Sequence, residues 1–171
     1  MSVEVVHNAC AADQADIIRD GRADIGYLRL PADTRGLSVE PLFTEPRVVV
    51  LPADHRLAGK EAVQVADLAA ERLLQNPENV PKWRGIDLEL PDRQSRPAQP
   101  TARTAGEKLE HIAAGDGIVV VPLSTATFYT RPDVTHLPVY DIAACQVCLA
   151  WISSRPSPLV SEYVTLARLA S

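Results

Sequence analysis

The sequence is poor in the residues from which staples and ready-made sites are built. It contains 3 cysteines, 2 tryptophans, 2 phenylalanines and 1 methionine in 171 residues. An odd, small set of cysteines (Cys10, Cys145 and Cys148) does not make a disulfide framework and reads as reduced and cytoplasmic. Positive charge is in deficit, with 17 Lys and Arg against 22 Asp and Glu and a formal net charge of −5. A phosphate backbone is gripped by clustered Lys and Arg, so this segment is not expected to bind DNA itself. Long apolar runs are also missing. Val48–Leu51 and Ile118–Val121 are strand-sized and too short to cross a bilayer. Residues 1–20 include Glu4, Asp13, Asp16 and Asp20 rather than a basic segment followed by an apolar one, so no signal peptide is expected there.

Catalytic signatures are equally sparse. There is no G-x-G-x-x-G, no G-x-x-x-x-G-K-S/T and no G-x-S-x-G. Ser124 has no His or Asp at a recognisable spacing, and the acidic residues are dispersed. The chain is therefore expected to be neither an enzyme nor a cofactor carrier, with no catalytic residues. What remains is 46% hydrophobic and 23% charged, the composition of an ordinary globular protein. The length suits one domain or two small lobes, with a core that needs no covalent staple.

Along the chain, Val3–Val6 reads as a strand. Asp13–Asp20 reads as a helix with Ile17 and Ile18 on one face, stopped at Gly21. Asp24–Leu30 is the next strand, and short connections make a parallel right-handed crossover the default. Leu37–Phe43 and Arg47–Leu51 are strands separated at Pro46. A short helix at Ala66–Glu71 leads into a strand at Arg72–Gln75. Between Asn76 and Pro100 lie Pro77, Pro81, Pro91, Pro97 and Pro100, which remove donors and fix φ, so a long loop with one helical turn near Trp83 is expected.

Thr104 and Glu107 form a T-x-x-E capping box that opens a helix with Leu109, Ile112 and Ala113 on its apolar stripe and Gly115 as its stop. Gly117–Val121 is a fully buried strand, since it is apolar without alternation. A further helical turn is expected at Ser124–Tyr129, and strands at Val134–Val139 and Gln146–Ser153. Ser157 and Pro158 start a final helix with the stripe Leu159, Val160, Tyr163, Val164, Ala167 and Ala170. The alternation favours α/β layers with mostly parallel strands.

Several residues draw attention as candidate ligands. Cys145-x-x-Cys148 has metal-like spacing, but zinc wants four ligands and the sequence offers no second pair. On a strand, positions i and i+3 face opposite sides, so two structural thiols are expected and no metal site. His7 follows the first strand, at the edge where open α/β sheets bind ligands. His111 sits among charged neighbours on a helix and reads as solvated. Arg29 ends the DIGYLRL strand. It is either a surface charge or a bidentate clamp for a carboxylate.

Four stretches, in this order, resemble the effector-binding domain of LysR-type transcriptional regulators: Arg19–Pro31 (RDGRADIGYLRLP), Val39–Leu57 (VEPLFTEPRVVVLPADHRL), Val65–Leu74 (VADLAAERLL) and Ile112–Leu123 (IAAGDGIVVVPL). The resemblance implies an α/β fold of two Rossmann-like lobes of periplasmic-binding-protein type. Lobe I would be 1–49 plus 147–171 and lobe II 50–146. A small-molecule effector, a carboxylate if Arg29 acts as a clamp, would bind near Cys10 and Ala11, Arg29 and Leu30, Asn76 and Asn79, and Thr104 and Ala105. Cys10, Ala11 and Ala12 stand where many relatives carry polar groups, which weakens the case for a strongly anion-binding pocket. Relative to the family pattern, the helix-turn-helix and the strand and helix that open the effector domain are expected to be missing. Lobe I would then be incomplete, DNA would be reached only through a domain absent here, and self-association would follow from an unpaired Val3–Val6 edge. No membrane partner is expected, and the cytoplasm is the expected location. A solute-binding protein of a transport system is the alternative, and an enzyme on the same bilobal scaffold is a third reading.

Overall fold

The computed structural model describes residues 4–5, 14–83, 85, 104–155 and 157–170. The chain forms two compact units, one from Met1–Thr44 with Cys145–Ser171 and one from Glu45–Ala144.

In the first unit, helix α1 (Gln14–Arg19) precedes strand β1 (Ile25–Leu30). Strand β2 (Leu37–Glu45) follows, and the unit is completed from the far end of the chain by β6 (Cys145–Ile152) and α4 (Pro158–Leu169). The sheet order is β1-β6-β2. Strand β6 is central and therefore apolar on both faces. Ala150 packs with Ala15, Ile18, Leu28 and Leu37 on the α1 side, whereas Leu149, the next residue back, packs with Val160 and Val164 of α4. That two-residue alternation is the strand period at work. Burying each of the Val, Leu and Ile side chains among these contributes roughly 1.5–3 kcal/mol. Ser157 caps α4 by accepting a bond from the Val160 amide, with Pro158 opening the first turn.

The second unit centres on β3 (Arg47–Pro52), every residue of which is buried. It lies between β4 (Val119–Pro122) and β5 (Val134–Pro138), antiparallel to both. Val49 and Leu51 face a core with Leu68, Trp83, Ile118 and Leu137. Val50 faces the other way, onto Leu109 and Ile112 of helix α2 (Ala105–Ala113). Helix α3 (Leu123–Phe128) follows β4 without a break and buries none of its residues fully. The expected capping box is present in full, with the Thr104 hydroxyl accepting from the Glu107 amide at 3.2 Å and the Glu107 carboxylate accepting from the Thr104 amide at 3.3 Å. Gly21 and Gly115 sit just past their helices at φ 71° and 79°, the left-handed geometry that favours glycine.

Several expectations are corrected. The strands are not mostly parallel: among the described residues the ladders of β1 with β6 and of β3 with β4 and β5 are antiparallel. Among the described residues, the isolated bridges Val63–Val139 and Leu73–Ile118 are parallel. Sequence adjacency misled because β1 pairs with a strand more than a hundred residues away. Ala66–Glu71 is a 3-10 turn at Val65–Leu68, started by a reciprocal pair between Gln64 and Asp67. The Arg72–Gln75 strand shrinks to the single bridge at Leu73. Leu159 stays exposed on α4, whose buried residues are Val160 and Val164. The Val3–Val6 strand falls largely outside the described residues, and Glu4 and Val5 are irregular and exposed.

Candidate functional site

The residues nominated from sequence fall into two groups, one in each unit. Cys10, Ala11 and His7 lie outside the described residues. Arg29 and Leu30 end β1, opposite Val147 and Gln146 of β6. The Leu30 carbonyl accepts a long contact from the Cys145 thiol at 3.8 Å. The turn that follows is held in place from α1, where Arg19 donates to the carbonyl of Asp33 at 2.6 Å and to that of Arg35 at 3.2 Å. Asp33 in turn takes Arg35 in a two-pronged bond of 2.9 and 2.7 Å. Those bonds, first the Arg35 guanidinium and then its amide, hold the Asp33 carboxyl well below the usual carboxylate range. The end of β1 that carries Arg29 is thus followed by a braced turn.

In the second unit, Asn76 caps the 3-10 turn Pro77–Asn79, its side-chain oxygen accepting from the Glu78 amide at 3.0 Å. The Asn79 amide donates back to the Asn76 carbonyl at 3.0 Å. Asn76 and Asn79 are both exposed. The segment leading to them runs parallel to the start of β4, through Ile118 N–H to Arg72 O at 2.8 Å and Leu74 N–H to Ile118 O at 2.9 Å. Helix α2 returns the chain between these parallel pieces. Asn76 and Asn79 thus belong to the turn that follows Leu74, and Thr104 and Ala105 to the start of α2. Carboxyl ends of strands in α/β sheets are where ligands settle. The first bond of α2 comes from the Lys108 amide to the Thr104 carbonyl, so the Ala105 and Gly106 amides precede the helical ladder. Glu107 already places a carboxylate at this helix start, which tempers its appeal for a second anion.

The remaining chemical candidates have structural surroundings. Cys145 and Cys148 are buried free thiols. Burial, then the neighbouring Cys145 and Glu40, pushes the Cys148 thiol up, the opposite of what a reactive thiolate needs. His111 pairs with Asp116 at 2.8 Å on the surface. No group of three or more His, Cys, Asp or Glu among the described residues is arranged to hold a metal. Among those residues, no helix is long and apolar enough to cross a membrane.

A family model described as the LysR substrate binding domain matches residues 2–170. The chain belongs to the LysR substrate-binding domain family. Among its relatives, the HTH-type transcriptional regulator TtuA of Agrobacterium vitis is 32% identical over 154 residues, covering 86% of this chain and 47% of that protein. The HTH-type transcriptional regulator CatR of Pseudomonas putida is 28% identical over 157 residues, covering 90% of this chain and 54% of that one. The chain spans about half the length of these curated relatives. The crystal structure of the reduced form of OxyR superimposes with a TM-score of 0.61 at 29% identity, covering 89% of this chain and 71% of that one. The fold is thus that of LysR regulatory domains, of periplasmic-binding-protein type, as the motifs implied.

Within this LysR domain, sequence reasoning passed over Gln75. Its side chain bonds the backbone of Val120 twice, donating to the carbonyl at 3.0 Å and accepting from the amide at 2.9 Å. A glutamine at the end of RLLQ looks like any polar residue entering a loop, and no local pattern marks it as part of a sheet.

Proposed function

We propose that this chain is the effector-sensing domain of a transcriptional regulator: it binds a small organic molecule reversibly and performs no catalysis. The observation that carries the reading is the family match across residues 2–170. In this reading the residues proposed to contact the effector are Cys10, Ala11, Arg29 and Leu30 in the first unit and Asn76, Asn79, Thr104 and Ala105 in the second. The lobes are taken as 1–49 with 147–171 and 50–146. DNA contact belongs to the part of longer relatives that this chain does not span, and the working location is the cytoplasm, with self-association. The transport alternative is disfavoured because the matched relatives are regulators.

Cys145 and Cys148 take no part in this reading, both being buried. A bound effector stabilises only the folded state, so a thermal-shift screen of small carboxylates, aromatics and amino acids tests the proposal. Ligand at a hundredfold excess over Kd adds about 2.7 kcal/mol. The expected result is a shift for one chemical class, abolished by Arg29→Ala if that class is carboxylates. Absence of any shift across the three classes counts against effector sensing by this chain.

A further inference from the structure

We infer that Gln75 is a positioning residue for the proposed effector contacts of the second unit, acting as a side-chain rung that ends the sheet and sets the Asn76–Asn79 turn. The inference rests on the functional reading above for its consequence, but not for its geometry. Strand β4 faces β3 on one side. On its other side, Ile118 exchanges two backbone bonds with Arg72 and Leu74. In a parallel ladder the next rung on that side is Val120, which would be served by the carbonyl of Leu74 and the amide of Asn76. Instead the Gln75 side chain fills both places, its nitrogen on the Val120 carbonyl and its oxygen on the Val120 amide. A primary amide carries a donor and an acceptor at its tip, as a peptide unit does, so it completes the rung without the main chain.

The consequence lies at Asn76. Its main chain is released from the sheet one residue early and enters the 3-10 turn, where the Asn76 oxygens cap Glu78 and Asn79. The strand end and the turn therefore share one anchor. Leu74 is buried on the α2 side, so the chain is fixed immediately before Gln75, while Asn76, Glu78 and Asn79 project into solvent. Removing the rung leaves the Val120 donor and acceptor unserved and lets the turn swing about Leu74.

The test uses the whole chain with two variants. Gln75→Met removes both polar groups at similar length. Gln75→Glu keeps the shape but presents two acceptors when ionised; protonated, it again offers one donor and one acceptor. Backbone 15N order parameters at Glu78 and Asn79 should be close to about 0.85 in the unmodified chain and fall below about 0.6 in Gln75→Met. Gln75→Glu should be mobile at neutral pH and recover rigidity in acid, with a midpoint at or above the ordinary glutamate value of about 4.3 because only the protonated form makes both bonds, with the unmodified chain unchanged over the same range. A purely structural contribution would lower thermal stability without this acid rescue. For benzoate, succinate and phenylalanine, one probe per chemical class, any that stabilises the unmodified chain should bind Gln75→Met at least tenfold more weakly. Unchanged order parameters in both variants overturn the inference. If none of the probes binds the unmodified chain, the functional reading loses support, while the order parameters still decide the role of Gln75.

Discussion

Replacing Gly117 by alanine should be among the most damaging one-carbon changes available to this chain. A Cβ at Gly117 would lie 2.3 Å from the Arg72 carbonyl oxygen and 3.0 and 3.1 Å from Leu74 carbons. The oxygen belongs to backbone, so it cannot rotate aside. Relief requires moving the 72–74 segment by roughly an ångström, since non-bonded carbon prefers contacts near 3.5 Å. That segment is bound through Ile118 N–H to Arg72 O and Leu74 N–H to Ile118 O. Each such bond contributes about 1 kcal/mol net, and a buried group left unpaired costs about 1–3 kcal/mol. Gly117→Ala should therefore destabilise by about 3 kcal/mol. With a urea slope of about 2 kcal/mol/M, the midpoint falls by about 1.5 M.

The chain supplies a reporter for the measurement. Trp83 is buried in the core of the second unit and Trp151 belongs to the first. A Trp151→Phe background leaves Trp83 fluorescence to follow unfolding of the unit that contains Gly117. Gly59→Ala is the control, because nothing lies within 4 Å of a Cβ at that position. A Gly117→Ala midpoint indistinguishable from that of Gly59→Ala would refute the reasoning, since it would mean the 72–74 segment yields at no cost.

Thr104→Ala should cost about 1 kcal/mol by removing the helix cap, seen as a lower urea midpoint, while Thr104→Ser should be close to neutral. For Glu71, burial pushes the carboxyl up, but bonds from Arg56 and His55 outweigh it and hold the pKa below the usual value. A depressed folded pKa gives stability that is present above the unfolded pKa and lost as the pH falls through the folded one. Glu71→Gln should therefore be destabilising near neutrality and lose its penalty in acid; a difference independent of pH would contradict this. The bond to Tyr163, then burial, pushes the Tyr27 hydroxyl up to about 12. Tyr163→Phe should bring it back toward 10 in a phenolate absorbance titration, and no change would show that the bond is not the cause. Trp83→Ala should cost about 3–5 kcal/mol, as large core truncations do, because Trp83 is 1% exposed.

Local physics was legible from the sequence. The Thr104–Glu107 box, the Ser157–Pro158 start, the Gly21 and Gly115 stops and the apolar run into β4 each follow from a few neighbouring residues satisfying their own backbone. Family membership was legible too, because four motifs occur in a fixed order. Partner choice was not. β6 completes the first unit from the other end of the chain, so the antiparallel pairing of Ile25–Leu30 with Gln146–Trp151 leaves no trace in the spacing around either strand. Burial on both faces made β6 apolar without naming its neighbours. Gln75 is the sharpest example. Its role depends on Val120, 45 residues away, offering a free edge rung. The sequence determined where helices start, where they stop and which strands are buried, because those depend on contacts within a turn or two. Only the tertiary structure decided which edges meet, and so which polar side chain finishes a sheet, because hydrogen-bond partners across a sheet are set by packing of distant segments.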